Sequence, residues 1–233
     1  MSWDFRSEED VKEYLHNIGI EYRFGCYSEK KPEVCHLLGM YFDVIKKNVE
    51  QAKKVYKVNC DTYRWSHSCY KYAYLKDQEK KDEQKDEVIN YFEKGCEAGL
   101  NRSCYLAGVK VGAKAEQETN FTNASALFNK AIDYMSKACE DDFGQACFNL
   151  SSIYFNGIPQ IGMARNFQKM FEYSVKGCDR LHLNCCVNAA LMAGKGEGTE
   201  KNEELAKKYR AKAEELHKDM TEEGLKFEEG LRK

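Results

Sequence analysis

Apolar side chains recur along the chain at helical spacing, in short blocks set between polar turns. Ala52, Val55 and Tyr56 lead up to Cys60 at this spacing, and Val88, Tyr91 and Phe92 lead up to Cys96 in the same way. Aromatics stand ahead of further cysteines at Tyr22, Tyr134 and Tyr173. Near the C-terminus, Leu205, Tyr209, Ala213 and Leu216 share one face of the segment Lys201 to Lys218, with charges elsewhere. These periods predict an all-α chain. The longest apolar run, Val34 to Phe42, contains His36 and is far too short to span a bilayer.

The cysteines turn these blocks into a repeat. Ten of the eleven fall into pairs, Cys26/Cys35, Cys60/Cys69, Cys96/Cys104, Cys139/Cys147 and Cys178/Cys186, separated by 9, 9, 8, 8 and 8 residues. Successive first members lie 34, 36, 43 and 39 residues apart, the period of a helical-pair solenoid. The residue before each first cysteine is Gly25, Asn59, Gly95, Ala138 or Gly177. Four places after each second cysteine stand Gly39, Ala73, Gly108, Ser151 and Ala190. Because i and i+4 share a helix face, cysteine and small residue form a stripe where a second helix can approach closely. Each pair is predicted to join the end of a helix A to the start of an antiparallel helix B. The repeats fall at 7–48, 49–84, 85–122, 123–163 and 164–200, followed by a capping helix over 201–218 and a flexible tail over 220–233. The charge run Lys76 to Glu87 is expected to be a solvated loop and helix start, and Gly112 to Asn123 a polar loop.

Charge and motifs narrow the class. Basic and acidic side chains number 36 and 38, a net charge of -2, which argues against a nucleic-acid partner. The first residues hold Asp4, Glu8, Glu9, Asp10 and Glu13 and no apolar core, the pattern of neither a secretory signal nor an Arg-rich presequence. No membrane span is expected, and the glycosylation-type matches at Asn101, Asn120, Asn123 and Asn149 are expected to be chance. Walker A, GxSxG, HExxH and CxxC motifs are absent, and the one S-x-x-K match, Ser28 to Lys31, lacks its companion motifs. A non-enzyme is therefore expected. Of His16, His36, His67, His182 and His217, none makes an HxxxH pair. His36 and Met40 lie four apart and are placed to reach one haem edge or a copper ion, but an interface histidine and a core methionine explain them more simply.

The fragment Cys96-Glu-Ala-Gly-Leu-Asn-Arg-Ser-Cys104-Tyr-Leu-Ala-Gly, echoed from Ala138-Cys139 to Cys147-Phe-Asn-Leu, resembles the Sel1-like repeat family. That resemblance implies an α/α solenoid of tetratricopeptide-related helix pairs, one such domain over 1–219. Cysteine-bridged members of the family form a secreted bacterial branch and a mitochondrial branch concerned with cytochrome c oxidase assembly. Five repeats, an acidic N-terminus and a charged C-terminal helix make the chain more similar to the mitochondrial branch. The resemblance implies a non-enzymatic scaffold for complex IV assembly, with respiratory-chain subunits or assembly intermediates as partners. The alternative is a thiol-redox or haem- or copper-handling protein. No cofactor is expected, haem being the one considered.

Structural disulfides, zinc ligation and reduced buried thiols compete as roles for the cysteines. Zinc sites gather four ligands at short spacings, and here no two cysteines lie closer than the pairs themselves except where Cys185 is one of them. Regular pairing favours disulfides, each worth roughly 2.5 kcal/mol in the chain-entropy model. Disulfides need an oxidising compartment. With secretion set aside, the mitochondrial intermembrane space is expected, its disulfide relay oxidising the pairs during import. In the fifth pair the repeat separation selects Cys178 with Cys186, because one step along helix B turns a side chain by about 100°. Cys185 is then a free, partly buried thiol, more simply an inert small residue than a site of reversible thiol chemistry.

Overall fold

The computed structural model describes residues 3–231, with side chains described through 221. Among the described residues there are α-helices, short tighter or wider turns and one isolated bridge, Ile158 to Met163, but no β-strand. The chain divides into two compact units, the first ending at Ala107 and the second beginning at Gly108. Unit 1 holds α1 (Glu8–Tyr27), α2 (Pro32–Met40), α3 (Val49–Tyr63), α4 (Ser66–Asp77), α5 (Lys85–Glu97) and the start of α6 (Asn101–Gln117). Unit 2 holds the rest of α6, then α7 (Phe121–Glu140), α8 (Gly144–Asn156), α9 (Phe167–Asp179), α10 (Leu183–Lys195) and α11 (Glu203–Leu231).

The two helices of each pair begin differently. Four of the five A helices, and α11, start on a capping side chain: Ser7 Oγ accepts from the Asp10 amide, and Asn48, Asn120, Asn166 and Asn202 accept from the amides of Gln51, Asn123, Lys169 and Leu205, whereas Gln84 ahead of α5 makes no such bond. B helices follow instead from a tight turn with one left-handed residue three or four places after the first cysteine. These residues are Lys30, Arg64, Gly99, Asp142 and Leu181. The turn brings the end of A beside the start of B, and a disulfide closes it. Cys26–Cys35, Cys60–Cys69, Cys96–Cys104, Cys139–Cys147 and Cys178–Cys186 have Cα separations of 4.5, 4.8, 4.5, 4.9 and 4.5 Å, inside the span such a bond tolerates.

The small residue four places after each second cysteine is where the following A helix arrives. A methyl on Gly39 would overlap the Tyr56 ring, and Ser151 Oγ lies 2.8 Å from Ser174 Oγ of α9. Tyr56, wholly buried, is thereby the core of α2 against α3. Cores are local, as a thin stack requires: Cys26, Cys35, Leu38, Tyr41 and Val55 in unit 1, and Cys178, Cys186, Ala189, Tyr209 and Ala213 in unit 2. In the second cluster, Leu205 and Leu216 of α11 pack on α10 and close the end of unit 2.

Three stretches depart from expectation. The polar loop predicted over Gly112 to Asn123 contracts to 118–120, since α6 runs on through Gln117. Val111 and Ala115 are buried, Ala115 against Ala124 and Phe128, and that burial outweighs the weak helix propensity of Gly112. In the charge run, α4 extends through Asp77 and α5 starts at Lys85, but the intervening turn is not merely solvated. Glu79 pairs with the buried Lys53, and that contact holds its carboxyl down at about 2. The capping helix outlasts its predicted end at Lys218 and runs to Leu231; the tail foreseen over 220–233 finishes outside the described residues.

Candidate functional site

Two further positions on every B helix lie beside the cysteine stripe. The residue after each second cysteine is His36, Tyr70, Tyr105, Phe148 or Val187, and four places on stand Met40, Tyr74, Val109, Ser152 and Leu191. Being i and i+4, the two share a face, so each B helix presents an apolar or aromatic side chain there. Several are unusually exposed for their type, among them Met40 at 39%, Tyr74 at 40% and Leu191 at 52%. In unit 2 this face is a groove. A cavity of about 440 Å³ is lined by Phe155 of α8 and by Asn184, Val187, Asn188 and Leu191 of α10. A second, of about 610 Å³, is lined by Val109 and Glu116 of α6, Ile132 of α7 and Asn149 and Asn156 of α8. Ser152 lines both.

The face combines amide and apolar side chains. Its amides can donate to and accept from a peptide backbone, and its apolar side chains can take up alternate side chains of an extended segment. At its edge His182 stacks on Phe148, ring centroids 4.9 Å apart, with Nε2 3.2 Å from Gln145 Oε1. Burial lowers the His182 pKa, so the ring is neutral near pH 7.

Of the other sequence-derived candidates, Cys185 is buried, His36 is half-buried, and Met40, expected in the core, stands exposed because no neighbouring helix among the described residues covers it. His36 Nδ1 lies 3.1 Å from Ser68 Oγ, which also accepts from Asn59 Nδ2 at 2.8 Å. Burial first, then His67 and Lys71, press the His36 pKa down to about 4. Its frame position is that of Tyr70, Tyr105 and Phe148, an aromatic packing position. Cys185 is more deeply placed than expected, wholly buried, and burial pushes its thiol up to about 12. It therefore carries no thiolate near neutrality and is a poor nucleophile. The repeat explains it. Cys185 precedes the second cysteine, as do Val34, Ser68, Ser103 and Ala146, and four of the five meet the residue before the first cysteine. Val34 meets Gly25, Ser68 meets Asn59, Ser103 meets Gly95, and Cys185 meets Gly177 so closely that a methyl there would overlap its sulfur. Comparing those frame positions in the sequence would have revealed the eleventh cysteine as a packing residue. Among the described residues, no group of three or more His, Cys, Asp or Glu is arranged to hold a metal ion, and no helix is long and apolar enough to cross a membrane.

Comparison with known proteins places this architecture. The Sel1 repeat pattern matches residues 66–100, 126–143, 144–180 and 184–217. Three of those spans join a B helix to the A helix after it, the junctions built on the small-residue stripe. "Cytochrome c oxidase assembly factor 7" of Xenopus tropicalis is 37% identical, over 94% of each chain. The Drosophila melanogaster protein named as its homolog is 33% identical, over 99% of this chain and 98% of that one. The Homo sapiens protein of the same name is 34% identical, over 93% of this chain and 94% of its own. Among solved structures, a Sel1 repeat protein from Oxalobacter formigenes superposes with a TM-score of 0.68 at 14% identity, covering 89% of this chain and 82% of that one. A protective antigen of uropathogenic Escherichia coli with an SLR fold gives 0.59 at 16% identity, over 90% and 49%. These two speak for the fold alone. The chain belongs to the Sel1 repeat family and, within it, to the family of the cytochrome c oxidase assembly factor 7 proteins.

Proposed function

We propose that the chain is a non-enzymatic scaffold for the assembly of respiratory complex IV, holding a subunit or assembly intermediate against the face of its B helices. One observation carries this: likeness over nine-tenths or more of both chains to relatives named for cytochrome c oxidase assembly. The groove supports it, being amide-rich and apolar, with its histidine stacked and neutral. The chain works in the mitochondrial intermembrane space, where a disulfide relay oxidises the five cysteine pairs on import, while Cys185 stays reduced as a packing residue. An oxidising compartment suits five bridges inside local cores.

The test is complementation of a null strain. Wild-type chain should restore assembled cytochrome c oxidase, whereas Val187→Asp with Leu191→Asp should be oxidised, folded and inactive. Both side chains are substantially exposed, so the charges disturb the groove rather than the core. Normal oxidase levels in the null strain would sink the assembly role. Resistance to protease in intact mitochondria, lost on rupture of the outer membrane, is expected of the location, and recovery in the cytosol with free thiols would refute it.

A further inference from the structure

In unit 1 the first A-helix junction breaks the rule of the second. Between α3 and α5, ion pairs and hydrogen bonds close the groove. Lys57 reaches Glu87 at 3.0 Å, Lys94 reaches Asp61 at 2.6 Å, Arg64 reaches Glu97 at 3.3 Å, and Tyr91 donates to Asp61 at 2.7 Å. Transposed by the cysteine frame to the junction of α1 with α3, Lys57 and Glu87 become Arg23 and Gln51, and Asp61 and Lys94 become Tyr27 and Val58. Arg64 becomes Lys30, whose counterpart carboxylate, Asp61, is already held by Lys94 and Tyr91. The clasp is missing, and apolar side chains stand in its place.

A cavity of about 410 Å³ opens there, with Val55 at its floor and Tyr27, Val58 and Tyr63 on its walls. Tyr27 is 60% and Val58 62% exposed. Ile20 and Phe24, on the face of α1 that carries Tyr27, prolong the apolar strip and are half-exposed or more. A contiguous strip of this kind marks an interaction site more than scattered exposed residues do. Lys30 and Lys54 line the cavity, no carboxylate does, and among the described residues neither lysine has an ion-pair partner. Apolar walls edged by uncompensated positive charge fit an acidic amphipathic helix laid between α1 and α3, its apolar anchors at i, i+4 and i+7 and its carboxylates over the lysines. We infer that the α1–α3 groove is a docking site for an acidic amphipathic helix of another protein, separate from the B-helix face.

The repeat supplies its own test. The double substitution Tyr27→Asp with Val58→Lys writes the Asp61–Lys94 clasp into the first junction, at two exposed positions that leave the core untouched. The probe is a fluorescein-labelled helical peptide of about four turns, with leucines at i, i+4 and i+7 and glutamate on its remaining faces. Binding to the oxidised full chain is read by anisotropy. The peptide is expected to bind, to weaken as salt rises, and to bind about tenfold more tightly than the same peptide with lysine for glutamate. The double variant, with an unchanged circular dichroism spectrum, should bind about tenfold more weakly, and Lys30→Glu with Lys54→Glu should reverse the charge preference. No binding, equal binding of both peptides, or a double variant that binds like wild type overturns the inference. A dimer of the chain that the double variant dissolves also overturns it, in favour of a second copy as occupant. Because these readouts need no oxidase, they fail or hold independently of the assembly role.

Discussion

The junction of α3 with α5 is polar and closed; that of α1 with α3, built on the same frame, is apolar at its rim and open. Both rest on a buried stripe of disulfide and small residues, so the stripe alone is enough to stack one pair on the next. What lies outside the stripe is free to vary. In the second junction it serves cohesion: Lys57 sits beneath two tyrosine rings, 5.3 Å from Tyr72 and 5.6 Å from Tyr91, while binding Glu87. In the first it leaves apolar surface that nothing in the unit covers.

The largest effect expected in either junction is loss of a bridge. Replacing Cys60 and Cys69 by alanine, or Cys26 and Cys35, removes a loop of the same length, and each should cost about 2.5 kcal/mol on the chain-entropy model. Denaturant unfolding of the two double variants should therefore shift equally. A clearly larger loss for Cys60 and Cys69 would assign the stabilisation to the clasped junction rather than to loop closure.

Removing the clasp comes next. Asp61→Asn takes the negative charge from Lys94 and weakens the bond from the Tyr91 hydroxyl, at an expected cost of about 1–2 kcal/mol. Tyr27→Asn, its frame equivalent, should stay within about 0.5 kcal/mol of wild type. Equal costs would mean that the first junction is held by contacts at its rim after all.

Acid should separate the junctions by where each begins to loosen. His36, beside α3 and α4, has a folded pKa near 4 against 6.5 when unfolded, with burial as the main cause. The unfolded chain then takes up a proton first, so stability falls as pH drops from 6.5 toward 4 and is flat below. Discounted for the ring's partial exposure, the loss is about 1 kcal/mol, and His36→Gln should abolish it. Asp61 and Glu87 act in the same direction but at lower pH. Burial would raise them, but hydrogen bonds from Lys94 and Tyr91, and from Tyr72 and Lys57, outweigh it and hold both below 3.8 and 4.5. Their contribution is complete above those values and disappears only as pH falls through the lowered ones. Denaturation midpoints between pH 7 and 3 should show a first slope removed by His36→Gln and a second removed by Asp61→Asn.

The smallest contrast lies in the turns. Lys30 and Arg64 both hold left-handed backbone, at φ of 55° and 54°. Glycine at Lys30 relieves about 1–2 kcal/mol of backbone cost and loses about 0.5–1 in unfolded-state entropy, so the melting temperature should rise slightly. Arg64→Gly forfeits the Glu97 pair as well and should gain less. An equal rise would show that the outermost link of the clasp contributes nothing.

Much of the fold was legible because the cysteine frame repeats a local instruction five times. A pair at fixed separation, a small residue before the first and another after the second define a turn, a bridge and a contact, all within about one repeat of chain. That is why the all-α solenoid and the helix pairing followed from Tyr56, Cys60, Cys69 and Ala73 and their equivalents. Where the signal was compositional rather than periodic it misled. Gly112 to Asn123 reads as loop because polarity and glycine weaken the helix locally, yet Ala115 is buried by residues of α7 that no local rule supplies. The same holds for Glu79, drawn from a charge run onto Lys53, and for Cys185, whose burial depends on meeting Gly177 across the helix pair.

The sequence by itself determined the class of fold, the repeat and the residues that could pair, since each follows from spacing along a helix. The tertiary structure decided which surfaces remained after packing. Whether Tyr27 and Val58 face a partner helix, a clasp or open solvent depends on what the neighbouring repeat contributes at the same height, and that is a matter of distance across the stack. Helix periodicity says which face a side chain occupies. Only the packed neighbour says whether that face is filled.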